Sequence, residues 1–130
     1  MDDNINALIK YRIARAKEAF EEAMLMRREG HCNACMNRLY YASFYAVTAL
    51  LAKDNLSSSK HIGVKSLFNQ HYIKTGKINR EYGLLYNHLF ENRQEGDYVD
   101  FVVFDADSVD PLIPQVKEFI EIVSTIALTQ

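Results

Sequence analysis

Arg93 is the residue whose surroundings most invite chemistry. It lies in the run Asn87-His88-Leu89-Phe90-Glu91-Asn92-Arg93-Gln94-Glu95-Gly96-Asp97-Tyr98, four residues after Leu89 and four before Asp97. On a helix that spacing lays the arginine stem along the apolar face and lets its head reach an adjacent groove. Asp97 then falls within ion-pair reach. Two readings are open. One is a salt bridge at a helix end. The other is a guanidinium poised for a phosphate or carboxylate, with Asp97 orienting it. Arg38 is a second charge in an unexpected place, inside an apolar run and flanked by Asn37, Tyr40 and Tyr41. A buried arginine needs partners, and Asp97, Tyr98 and Glu91 are the candidates. His61 follows Lys60 at an expected helix start, where a positive imidazole is disfavoured, so it should be neutral there. The candidate catalytic residues are therefore Arg93, Asp97 and His61. The candidate ligand-binding patch is Arg38, Tyr41, Arg93, Asp97 and Tyr98. His31, His71 and His88 read as ordinary exposed histidines.

Other chemistries fit poorly. Cys32-Asn33-Ala34-Cys35 is a CxxC at a helix start, where the helix N-terminus lowers a thiol pKa. A redox motif of this kind needs a βαβ context that the chain lacks. A structural zinc usually takes four ligands, and only His31 stands beside the pair. A carboxylate-bridged di-metal site in a bundle needs Glu-x-x-His on two helices, and no such motif occurs. No metal and no cofactor are expected.

The elements that must position these residues are helices. From Ala34 to Leu51 the chain is apolar almost without a break, interrupted by Asn37, Arg38, Ser43 and Thr48. Apolar residues on nearly every side predict a central helix surrounded by others. Arg38, Asn37 and the tyrosine hydroxyls argue against a membrane span. A first helix is expected from about Asn4 to Glu29. Ile5, Leu8, Ile9, Ile13, Ala16, Phe20, Ala23 and Met24 recur at helical spacing, and Gly30 follows its end. The first two helices should form an antiparallel hairpin. A third helix is expected over about Ser59 to Lys74, with Ile62, Leu67, Phe68 and Ile73 inward and Gly76 at its end. Asn79 can cap a fourth, with Tyr82, Leu85, Tyr86, Leu89 and Phe90 inward and Gly96 as its stop. Val99 to Phe104 are strong β-formers and predict an extended connector lying on the bundle. The last helix should begin between Ser108 and Pro111. Its stripe is Val109, Leu112, Val116, Phe119, Ile120, Val123 and Ile126, and Pro114 predicts a kink unless Asp110 is the cap. The fold class expected is all-α, an up-and-down bundle of about five helices in one domain over residues 1–130. Tyr41, Phe44, Leu50, Phe68, Leu89, Phe119 and Ile120 should lie in the core.

A net charge of −2 implies no whole-chain attraction to nucleic acid or membrane. The charges are unevenly placed, however. Residues 55–80 hold no acid but include Lys60, Lys65, Lys74, Lys77 and Arg80. From Glu81 onward there are ten acids and only Arg93 and Lys117 as bases. The two segments either meet in the fold or leave a local anion-attracting face. The acidic, then amphipathic start does not read as a signal peptide, and two cysteines in that context suggest reduced thiols in a cytoplasm.

Taken together, the motifs resemble a known family. The run Arg38-Leu39-Tyr40-Tyr41-Ala42-Ser43-Phe44, then His61, Phe68 and Lys74-Thr75-Gly76, then Arg93-Gln94-Glu95-Gly96-Asp97-Tyr98, resembles the HEPN domain family. The nearest branch is that of small stand-alone prokaryotic proteins with an RxYYAxF helix and an RxxxDY turn. The resemblance implies a helical bundle, commonly a homodimer. Many HEPN proteins are metal-independent ribonucleases, and others pair with a small nucleotidyltransferase as half of a toxin–antitoxin system. Their nuclease motif is an arginine followed four to six residues later by a histidine, which acts as base on a ribose 2′-OH. Here Arg93 matches the arginine, but Asp97-Tyr98-Val99 follows without a histidine. His61 or His88 would have to substitute. Binding of a nucleotide, an RNA or a partner protein needs Arg93 but no base.

Overall fold

The computed structural model describes residues 3–98 and 100–129, apart from the side chains of Glu95, Asp97 and Tyr98. The helices are α1 (Asp3–Arg28), α2 (Cys32–Lys53), α3 (His61–Phe68), α4 (Arg80–Tyr98), α5 (Ala106–Val109) and α6 (Leu112–Leu128). A π-helical turn, Asn69–Ile73, continues α3. No strand occurs among the described residues. The architecture is the all-α bundle expected, with α5 a single added turn.

Gly30 makes the hairpin between α1 and α2 possible. Its φ of +82°, like the +79° of Gly76 after the π turn, lies where a side chain would clash with its own backbone. At the hairpin end Arg27 donates to both carboxylate oxygens of Asp110, at 2.6 and 3.1 Å. At the other end Lys53 Nζ donates to the Ile126 carbonyl at 3.0 Å. Those two ties make α6 run parallel to α2 and antiparallel to α1.

The core is centred on α2 but closed by aromatics from elsewhere. Leu39, Tyr40, Val47 and Leu50 are fully buried, as are Phe68, Tyr86, Leu89 and Phe119. Phe119 packs within 6.1 Å, centroid to centroid, of Phe68, Tyr82 and Tyr86. Burying one such side chain contributes about 1.5–3 kcal/mol.

Several expectations are corrected. The central helix is not enclosed on every side, for Asn37, Arg38, Tyr41, Phe44, Tyr45 and Thr48 form a half-buried stripe. Tyr41 and Phe44 therefore pack against the core without lying in it. Leu8 and Ile62 face outward, while Ala19 and Val64 take the inner positions. The third helix is not regular to Lys74. Asn69 donates to the Lys65 carbonyl and to Asn87 Oδ1, and Lys74 N reaches back five residues to the Asn69 carbonyl at 2.8 Å. This wider turn buries Tyr72, whose hydroxyl donates to the Asp54 carboxylate.

Gly96 does not stop α4, which continues to Tyr98. Its role is close approach, since a Cβ there would meet the Phe104 ring at 2.9 Å. No strand occurs among the described connector residues, from Asp100 to Asp105. Asn33 instead clips the connector to α2, donating to the Val102 carbonyl at 3.0 Å and accepting from Phe104 N–H at 2.7 Å. The expectation for Val99 lies outside the described residues. Asp105 caps α5 by accepting from Ser108 N–H at 2.9 Å. Pro111 caps α6, so Pro114 falls in the first turn, where the missing N–H breaks no helical bond. No ion pair joins the basic and acidic segments among the described residues; the ion pairs found there are Arg15–Glu18, Arg27–Asp110 and Arg38–Glu22. No described helix is long and apolar enough to cross a membrane.

Candidate functional site

Three helices bring Arg93, Tyr40, Tyr41 and His61 to one place. α4 buries Arg93 to 7% exposure at its C-terminal end. Its guanidinium carbon lies 5.0 Å from the Tyr40 ring centroid and 5.9 Å from that of Tyr41. A planar cation over an aromatic face is held by the ring quadrupole. α3 opens with His61, whose Nδ1 is 2.7 Å from the Tyr40 hydroxyl. The imidazole also stacks on Phe44, with centroids 4.5 Å apart, and meets Tyr41 edge-on at 5.8 Å. The α2 sequence explains the wall. Residues 37, 41 and 44 share one face of a helix and residues 36, 40 and 43 the adjacent one. The paired tyrosines thus stand side by side, Tyr40 inward and Tyr41 half out.

The electrostatics follow from burial beside a cation. Burial, and then the Arg93 charge, push His61 below the ordinary imidazole value, so it is neutral at pH 7. Burial raises Tyr40 to about 12, with Arg93 working against it. Tyr40 therefore stays protonated and can serve His61 as donor or acceptor. Burial, with Tyr40 beside it, also holds Tyr86 well above the usual phenol range. The site offers a fixed cation, a neutral imidazole and aromatic faces.

The structure joins some of the expected residues and separates others. Arg93, Tyr41 and His61 come together. Arg38 does not link α2 to Glu91 of α4. It turns to α1, 3.3 Å from Glu22, while its guanidinium lies 4.9 Å from the Tyr41 centroid and donates to Asn37. The side chains of Asp97 and Tyr98 lie outside the described residues. His88 is exposed and bonded to Asn92 on its own helix. Tyr40 and Phe44 were not among the expected site residues. The doubled tyrosine of the α2 motif was the available signal for Tyr40. A third residue, Arg15 of α1, had no signal at all. It donates to the Tyr45 hydroxyl at 3.3 Å and lies 5.1 Å from the Tyr45 centroid.

No group of His, Cys, Asp or Glu that could hold a metal occurs among the described residues. Both cysteines are free, and burial pushes Cys35 up to about 11, the reverse of an activated thiol. A cleft of about 520 Å³ at the hairpin end is lined by Glu22, Leu25, Asn33, Asn37 and Arg38. A second groove, of about 410 Å³, lies between α1 and α6, away from Arg93.

The model of the HEPN domain matches residues 9–126. The chain belongs to the HEPN domain family. Among its relatives, the UPF0332 protein of Thermotoga maritima is 41% identical over 114 residues, covering 88% of this chain and 86% of that one. A Methanocaldococcus jannaschii protein named as a candidate toxin is 27% identical over 128 residues, covering 91% and 92%. A second protein of that organism, also named as a candidate toxin, is 30% identical over 86 residues, covering 66% and 58%. In this HEPN chain Arg93 of α4 and His61 of α3 both border the Tyr40 and Tyr41 rings of α2.

Proposed function

We propose that this HEPN chain binds a phosphate-bearing ligand, a nucleotide or an RNA, at Arg93, as part of a toxin–antitoxin-type system in the cytoplasm. The convergence of Arg93, Tyr40, Tyr41 and His61 from three helices carries this reading. The guanidinium supplies charge and the half-buried Tyr41 ring supplies an aromatic surface for a base. The names of the two Methanocaldococcus relatives support the system. A small nucleotidyltransferase and a second copy of the chain are the partners the family resemblance suggests. Isothermal titration with uridine 5′-monophosphate and short RNA tests the binding. Loss of affinity in Arg93→Ala, with the fold retained, is the expected result. Equal affinity of wild type and variant would overturn the reading.

A second reading, metal-independent ribonuclease, is favoured by His61. Burial, and then the Arg93 charge, favour the neutral imidazole, the form a general base requires. The base would take the ribose 2′-OH proton as the 2′-oxygen bonds to phosphorus and the P–O5′ bond breaks, the 5′-oxygen leaving as a hydroxyl with a proton taken from water. Arg93 would stabilise the charge on the phosphate. Cleavage of RNA by purified protein in chelator, lost in both Arg93→Ala and His61→Ala, is the measurement that separates enzyme from binder.

A further inference from the structure

The groove between α1 and α6 plays no part in the Arg93 site. Its volume of about 410 Å³ lies within the range of small-molecule sites. Ile13 and Phe20 of α1 and Ile120 and Leu128 of α6 make it apolar. Two observations add polarity. The first is a pair of cations. Lys17 and Lys117 stand on opposite banks, both exposed and neither in an ion pair among the described residues. The ties at the two ends set their register. Arg27 meets Asp110 at the hairpin end, and Lys53 meets Ile126 at the other. Lys53 stands level with the first turns of α1, since Arg12 reaches the Thr48 carbonyl and Arg15 the Tyr45 hydroxyl. Midway between those ties, Lys17 and Lys117 lie at about the same height on antiparallel helices. Each has a glutamate four residues on, Glu21 and Glu121, in the order that pairs less well on a helix. The two acids lie toward opposite ends, so the positive field is confined to the middle of the groove.

The second observation is Ser124, which lines the groove and is 7% exposed. Its hydroxyl is buried without a hydrogen-bond partner. Thr125 and Thr129 on the same helix donate to carbonyls four residues back, at 2.8 and 2.7 Å. Ser124 makes no such bond, and buried polar groups are rarely left so.

We propose that this groove binds a small apolar carboxylate that carries a hydrogen-bonding oxygen farther along its chain. The carboxylate sits between Lys17 and Lys117, and the chain runs past Ile120 toward Leu128. Ser124 follows Lys117 by two turns on the same face, about 10 Å along α6. The second oxygen of the ligand meets the Ser124 hydroxyl there, turned toward it between staggered positions of χ1. A carboxylate brings one negative charge, which suits a short positive stretch with an acid at either end. A phosphate, with a charge of about −2, would be repelled by Glu21 and Glu121. The proposal does not rest on the reading of Arg93.

Isothermal titration of the purified chain with decanoate and with ω-hydroxydecanoate tests the site. The hydroxylated chain should bind about fivefold more tightly, the scale of one hydrogen bond. Ser124→Ala should remove that preference and leave decanoate affinity within about twofold of wild type. Lys17→Gln and Lys117→Gln should each weaken both ligands by about threefold or more. Leu128→Glu should abolish binding of both, and Arg93→Ala should change neither. Lys17, Lys117 and Leu128 are exposed, so their variants should fold. Circular dichroism and melting temperature check this.

No binding of either ligand by wild type at about 1 mM overturns the proposal. Equal affinity for the two ligands in wild type also overturns it, since the Ser124 contact would be missing. Binding lost in Arg93→Ala but kept in both lysine variants would place the carboxylate at Arg93 and not in the groove. A shift from dimer to monomer in sedimentation of Leu128→Glu, with ligand affinity unchanged, would make the groove a contact between two copies, and the proposal would fail.

Discussion

The Tyr40 hydroxyl lies 2.7 Å from Nδ1 of His61, across a separation of 21 residues. Tyr40 is fully buried and keeps its proton to about pH 12, so the pair holds one orientation of the imidazole through the physiological range. Acid should test this. The unfolded chain binds a proton at His61 near the ordinary value of about 6.5, and the folded chain does so only at lower pH. Between those values the unfolded state holds more protons, so the His61 contribution makes stability rise with pH. It levels off above about 6.5. Denaturant melts from pH 4 to 8 should show an acid-side slope that is shallower in His61→Gln.

Removing the neighbouring cation should act on the same imidazole. Arg93 pushes the His61 pKa down, after burial. In Arg93→Ala the titration of the His61 ring protons, followed by NMR, should move upward. An unmoved midpoint would place Arg93 too far from His61 for the joint site.

Phe119→Ala should cost about 3–5 kcal/mol in urea denaturation. The ring is fully buried against Phe68, Tyr82 and Tyr86, so its removal leaves a cavity between helices that cannot simply close. A loss below about 1 kcal/mol would contradict this packing.

Asn33→Ala should free the connector without unfolding the bundle. It removes both bonds to Val102 and Phe104, at a cost of about 1–3 kcal/mol. Limited proteolysis should then cut near Phe101 and Val103, which are already exposed, several-fold faster than in wild type.

The thiols should behave as packing groups. Cys35 is fully buried and raised to about 11, so native protein at pH 8 should leave it unalkylated while urea exposes it. A strong chelator should leave the melting temperature unchanged, since a structural metal would contribute directly to folding.

Much of the scaffold was legible because its signals are local. The apolar run of α2, the hydrophobic stripe of α6, and Gly30 and Gly76 each depend on residues within a few turns. Arg93 stood out for the same reason. The misses were matters of rotation and distance. Each residue along a helix turns the side chain by about 100°, so naming Tyr41 alone left out Tyr40, which joins the same cluster from the adjacent face. Arg38 meeting Glu22 and Arg15 meeting Tyr45 depend on how α1 is rotated against α2, which no local pattern fixes. Gly96 carried a genuine signal, but its missing side chain serves the Phe104 ring and not a turn. The π turn depends on Asn69 finding Asn87 on another helix.

The order of the helices bears on how the protein is made. Arg15, Tyr40, Tyr41, His61 and Arg93 all precede α6, which supplies Phe119. A ribosome releases the chain from its N-terminus, so every charge and ring of the site emerges before the helix that braces it. Phe119 touches Tyr86, and Tyr86 lies 6.0 Å from Tyr40, centroid to centroid. A nascent chain without α6 thus carries the whole residue set on an unsupported wall. Synthesis itself delays a firm site until the final helix docks.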